Sequence, residues 1–142
     1  MSWLCWNMRG LGNQRTVQKL ANFVQAQDPS VLFLAETWAD EARLKKLRDD
    51  LQFDELWVVD RVTRAGGLAL LWKNSMDIVV DSTSLNHIDV IINKGKDDAW
   101  RFTGIYGHPK SSRKDETWEM IRGLNRKFSL PWVCVEDFNE IL

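Results

Sequence analysis

Val31-Leu32-Phe33-Leu34-Ala35-Glu36 is the stretch from which the fold can be read. Five apolar residues, restarted by Pro29-Ser30 and closed by a carboxylate, suit a short buried strand better than a helix. Upstream, Trp3-Leu4-Cys5-Trp6 reads the same way, and Val17, Leu20, Ala21 and Val24 follow at helical spacing behind Asn13, a natural N-cap. Downstream, Leu44, Leu47 and Leu51 mark a second helix after Thr37-Trp38-Ala39-Asp40, a near match to a capping box. Residues 56–59, 67–72, 78–80, 88–92 and 100–106 then read as consecutive strands, with Lys94-Gly95-Lys96-Asp97-Asp98 as a turn, predicting a meander or hairpin set. Trp118, Ile121, Leu124 or Asn125, and Phe128 predict a third helix, weakened by Gly123, before a last strand at 132–135. With no repeat or linker, the expectation is one α+β or layered α/β unit over residues 1–142.

Composition agrees with a globular domain: 142 residues, 44% hydrophobic and 27% charged. A net charge of −1 gives no global attraction to nucleic acid, so phosphate binding must come from local basic clusters or a bound cation. Cys5 and Cys134 each lie in an apolar run and are expected to be reduced, buried core thiols. Neither a signal peptide nor a run of 18 apolar residues occurs, so an intracellular, soluble protein without a membrane partner is expected.

Four strands end alike, each delivering a polar residue: Asn7 after Trp6, Glu36 after Ala35, Tyr106 after Ile105, and Asp137 with Asn139 after Val135. Open layered sheets bind ligands outside the carboxyl ends of their strands. Two carboxylates with amide oxygens make a hard oxygen site suited to Mg²⁺ or Mn²⁺, whereas two histidines and no thiolate pair fit zinc poorly. Blander readings stand beside this one. Asp137 and Asn139 suit a turn, Glu36 suits a helix N-terminus, Tyr106 suits a strand exit, and Asn7 with Gly10, Gly12 and Asn13 suits a glycine loop.

Taken in order, Trp6-Asn7-Met8-Arg9-Gly10-Leu11-Gly12, Leu34-Ala35-Glu36-Thr37, Gly66-Gly67-Leu68-Ala69-Leu70-Leu71-Trp72, Ile105-Tyr106-Gly107-His108-Pro109 and Asp137-Phe138-Asn139-Glu140-Ile141-Leu142 resemble the endonuclease/exonuclease/phosphatase superfamily. The likeness is greatest to the endonuclease domains of plant non-LTR (LINE-type) retrotransposons. The resemblance implies a DNase I-like layered sandwich of mixed sheets flanked by helices, of which this chain carries the N-terminal part. It implies a Mg²⁺-dependent (or Mn²⁺-dependent) endonuclease acting on the DNA backbone, in the nucleus. Glu36 would be the principal metal ligand and Asn7 a metal and phosphate residue. Tyr106 would contact the scissile phosphate, Asp137 would orient or deprotonate water, and Asn139 would hold the phosphate.

Two departures from the family pattern bear on activity. Glu136 stands where the family has glycine before Asp-Phe-Asn, adding negative charge beside Asp137. The family's terminal Asp-His pair is not in the sequence, and losing such a histidine costs on the order of 10²–10⁴ in rate if it acts by proton transfer. Low or no activity is therefore expected, with another chain or segment supplying further strands. Two alternatives stand: an inactive metal- or phosphate-binding remnant, and a phosphatase or abasic-site nuclease of the same superfamily.

Of eight tryptophans, Trp3, Trp6, Trp72, Trp100 and Trp132 fall in strand runs and are expected to pack, while Trp38, next to Glu36, is placed to touch a nucleotide. The basic residues Arg43, Lys45, Lys46 and Arg48 read as a solvated helix face. Lys110 and Arg113, following the Tyr106 strand, are candidates for phosphate contact.

Overall fold

The computed structural model describes residues 1–61, 66–107, 114–126 and 129–137. Eight strands and three helices occur among them: β1 (Trp3–Asn7), α1 (Gln14–Gln27), β2 (Val31–Ala35), α2 (Glu41–Asp50), β3 (Glu55–Val59), β4 (Leu68–Trp72), β5 (Ile78–Ser84), β6 (His87–Ile92), β7 (Trp100–Tyr106), α3 (Lys114–Asn125) and β8 (Trp132–Asp137). They form two compact units, Met1–Met76 and Asp77–Leu142. Each holds one four-stranded mixed sheet.

In the first unit the order is β1-β2-β4-β3. A parallel pair cannot be closed by a tight turn, so the helix between β1 and β2 follows from their parallel register. Asn13 caps α1 as its side chain accepts from the Arg15 amide. The near capping box at Thr37 shifts by three residues: Asp40 is the N-cap of α2, accepting from the Arg43 amide. Leu20 and Val24 of α1, with Leu44 and Leu47 of α2, join Leu32, Leu34, Ala69 and Leu71 in one core. Leu4, Trp6, Leu56 and Val58 pack against it, and the registers place all of these sheet residues on one face. Val31, Phe33, Leu68, Leu70 and Trp72 occupy the other face and are buried too, which is why β2 and β4 read as unbroken apolar runs.

In the second unit the order is β5-β6-β7-β8, with β7 and β8 parallel around α3. The expected meander is therefore two structures: a β3–β4 hairpin in one sheet and a β5–β6–β7 meander in the other. Beneath α3 lies a buried polar network. Arg101 donates from Nε and Nη2 to the two carboxylate oxygens of Asp89 at 2.7 and 3.0 Å. Its Nη1 donates to the Leu124 carbonyl of α3 at 2.5 Å. Thr103 donates to Asp89 at 2.7 Å and accepts from the Trp132 indole at 2.8 Å. The Arg101 guanidinium lies 4.8 Å from the Trp132 ring centroid.

Both cysteines are free, as expected, but neither is a buried core residue: Cys5 is half-buried, and Cys134 is exposed on β8. A strand at the sheet's edge has a partner on one side only, so an apolar sequence run does not guarantee burial there. Desolvation of the sulfur still pushes the Cys5 thiol up to about 11. No helix among the described residues is long and apolar enough to cross a membrane.

Candidate functional site

The candidate residues fall at the carboxyl ends of the two parallel strand pairs. In the first unit, Asn7 is the last residue of β1 and stands in register with Ala35, so Glu36 follows immediately on the neighbouring strand. The ladder continues past both strands. Met8 donates to Ala35, Gly10 to Glu36 and Leu11 to Thr37, at 2.9 to 3.0 Å. On the far side, the amides of Thr37 and Trp38 donate to the carbonyls of Gly67 and Gly66 at 3.2 and 3.1 Å. The Asn7 side chain accepts from the Arg9 amide at 3.0 Å, turning the chain as it leaves β1.

This end of the sheet carries unusual backbone. Arg9, Glu36 and Trp38 have φ of 50°, 52° and 50°, in the left-handed region that side chains disfavour. Such conformations cost of order 1–3 kcal/mol each and persist where the surroundings over-determine them. Here the bonds from Gly10, Leu11, Thr37 and Trp38 do so.

Two glycines make the arrangement sterically open. A Cβ on Gly10, at φ +97°, would lie 2.3 Å from Trp38 Cε3. A Cβ on Gly67, at φ +90°, would lie 2.4 Å from Thr37 Oγ1. Thr37 itself is buried, and among the described residues its hydroxyl has no hydrogen-bond partner. The helix-start reading of Glu36 is not what the chain uses. Asp40 caps α2, and Glu36 is held in a backbone bridge five residues before the helix begins.

In the second unit, register sets Tyr106 of β7 beside Asp137 of β8. Tyr106 is buried, and its backbone is fixed from both sides: its amide donates to the Asn86 carbonyl at 2.8 Å, and Asn86 Nδ2 donates to its carbonyl at 3.0 Å. Glu136 is extended β-strand with no positive φ, so it does not use the conformational freedom that glycine would offer. It pairs with Ile105, one register position from Tyr106, and alternation along the strand therefore places it on the other face of the sheet. Asn139, Lys110, Arg113 and His108 lie outside the described residues.

Asn7 and Glu36 offer an amide oxygen and a carboxylate, a donor set that suits a hard cation retaining much of its water. Among the described residues no group of three or more His, Cys, Asp and Glu side chains is arranged to hold a metal. His87 serves another purpose. It is buried between Ser84, 2.6 Å from Nδ1, and Ser82, 3.1 Å from Nε2. The basic face of α2 is solvated, as expected: Lys45 pairs with Glu41, Lys46 with Asp50 and Arg48 with Asp49. The five tryptophans expected to pack, Trp3, Trp6, Trp72, Trp100 and Trp132, are buried or half-buried, whereas Trp57 on β3 is exposed and Trp38 is 40% exposed. The sequence reading missed the clamp by Gly66 and Gly67, though a Gly-Gly pair ahead of an apolar run is the signal that could have shown it.

Solved structures share this fold at low identity. The endonuclease domain of TRAS1, a telomere-specific non-LTR retrotransposon, matches at 12% identity and TM-score 0.66, covering 98% of this chain and 59% of that one. The human Nocturnin catalytic domain matches at 12% and 0.71, covering 96% and 62%. A mannosyl-6-phosphatase of Bacteroides thetaiotaomicron matches at 16% and 0.64, covering 96% and 64%. The chain thus spans about three-fifths of the length of these structures. No curated protein sequence matches it. The Endonuclease/Exonuclease/phosphatase family matches over residues 4–140, nearly the whole chain and both units, and the protein belongs to that family.

Proposed function

We propose that the chain contributes to metal-dependent hydrolysis of a phosphodiester in DNA, as an endonuclease of the retrotransposon type. The observation that carries this reading is the shared placement of Asn7, Glu36, Tyr106 and Asp137 at the carboxyl ends of parallel strand pairs. Family membership supports phosphoester hydrolysis in general, and the order of the motifs, which resembles that of retrotransposon endonucleases, supports the narrower reading.

Glu36 and Asn7 would hold Mg²⁺, with Mn²⁺ as a substitute; a bound divalent cation neutralises phosphate oxygens and lowers the pKa of water. Tyr106 would donate its hydroxyl to a phosphate oxygen and fix the orientation of the scissile bond. Asp137 would accept the proton of the attacking water, and Asn139 would donate to the phosphate as charge develops. Lys110 and Arg113 would contact neighbouring phosphates.

Supercoiled plasmid incubated with the purified chain and Mg²⁺ is expected to be nicked, weakly, and not in EDTA. Glu36→Gln and Asp137→Asn are each expected to remove the activity. Nicking that survives both substitutions would overturn the residue assignment. A folded protein that cuts no DNA but releases phosphate from a sugar phosphate would favour the phosphatase reading, kept open by the structural likeness to a mannosyl-6-phosphatase. A folded chain that binds divalent ions without turnover would leave the inactive-remnant reading.

A further inference from the structure

The ring of Trp38 belongs to the same end of the first sheet as Asn7 and Glu36. Gly10 donates its amide to the Glu36 carbonyl, and the Trp38 ring lies directly over Gly10. The ring is therefore supported on one side by the residue that bonds the backbone of Glu36. It is nevertheless 40% exposed, so apolar surface is left to solvent two residues along the chain from Glu36. Two other exposed tryptophans in the chain, Trp57 on β3 and Trp118 on α3, sit on regular elements. Trp38 instead has φ 50°, and its amide is tied to Gly66 while the preceding residue is tied to Gly67 and Leu11.

A strained backbone, glycine at the one position where a side chain would displace the ring, and two flanking backbone bridges all hold an aromatic plane in place. Packing alone does not account for this, because the residue is held in place while 40% of it remains exposed. Arg9, the residue before Gly10 in the chain that leaves β1, is exposed, so its cation is free to meet a phosphate on this strand-end side. An aromatic face, with a cation one residue from the glycine beneath it, is chemistry that suits a nucleotide: the ring stacks on the base and the cation meets the phosphate.

We propose that Trp38 is a stacking platform for an unstacked nucleobase next to the phosphate that the chain engages, and that it sets a preference for DNA with an unpaired base over fully paired duplex. This rests on the nucleic-acid reading above and deepens it. In a continuous duplex both faces of a base are already stacked, so an indole gains a partner only where a bulge, gap or end leaves a face open. Base–aromatic stacking is lost about 5- to 150-fold in affinity on removal of the aromatic ring.

The test is fluorescence anisotropy with two fluorescein-labelled DNA duplexes, identical except for one bulged base. Calcium serves as the divalent ion so that the probes stay intact. The wild-type chain is expected to bind the bulged probe at least about 5-fold more tightly. Trp38→Ala and Trp38→Leu are expected to erase that difference, Trp38→Phe to keep most of it, and Trp57→Ala to leave it unchanged. Trp38→Leu keeps an apolar side chain over Gly10 without an aromatic face, so its loss of preference at an unchanged melting temperature separates stacking from folding. A preference that persists in both Trp38→Leu and Trp38→Ala overturns the proposal, as does a wild-type chain that binds both probes equally. Plasmid nicking without a bulge preference overturns this inference and leaves the endonuclease reading standing. Binding to neither probe overturns both.

Discussion

Removing one partner from the buried Arg101–Asp89 pair should be among the most damaging single changes in the second unit. Arg101 is 1% exposed and Asp89 not at all, so solvent screens neither charge. Asp89→Ala deletes two charge-assisted bonds from Arg101 and one bond from Thr103, and takes from the guanidinium the carboxylate that it meets through two nitrogens. Stranding one buried charge in this way costs about 3–5 kcal/mol. Small domains unfold in urea with slopes of roughly 1–3 kcal/mol per M, so the midpoint should fall by about 2 M.

The paired substitution Asp89→Leu with Arg101→Met removes both charges together. It should recover most of that loss, because replacing a whole buried ion pair by apolar side chains is often close to neutral. Urea denaturation followed by circular dichroism, on Asp89→Leu, Arg101→Met and the double variant, measures this cycle. A single-variant cost below about 1 kcal/mol, or a double variant no better than the two losses added, would refute the reasoning.

Thr37→Val should leave stability unchanged or raise it by up to about 1 kcal/mol, since it replaces a buried hydroxyl that has no partner among the described residues with an isosteric methyl; thermal unfolding reads the sign. In a Cys134→Ser background, Cys5, pushed up to about 11 from 9.0, should react with iodoacetamide at pH 8 about 100-fold more slowly than in urea, because two pKa units separate the thiolate fractions. The raised pKa means that the folded chain holds the thiol proton more tightly, so this contribution is complete below pH 9 and is lost as pH rises towards 11. A Cys5 rate equal to the denatured rate would show that the sulfur is not shielded.

The sequence determined the secondary structure closely, because the signals are local. Asn13 ahead of an apolar helical stripe capped α1 as read, and 31–35 formed a strand buried on both faces. The strand-end positions of Asn7, Glu36 and Tyr106 were legible for the same reason: each is the polar residue at which an apolar run stops. The family was legible too, from the order of the motifs rather than from any one of them.

Tertiary structure decided what depends on partners distant in the chain. The capping motif moved from Thr37 to Asp40 because the backbone of Thr37 is bonded to Gly67 and Leu11, not to a helix. The run of five strands divided between two sheets because β4 pairs back to β2 whereas β5 pairs forward to β6. Cys134 proved exposed because β8 is at a sheet edge, which hydropathy cannot register. The Asp89–Arg101 pair joins residues twelve apart on neighbouring strands, and the Trp38 ring meets Gly10 from another strand end. Local propensity carries no information about either contact, since each exists only once parallel and antiparallel registers have brought separate strands side by side.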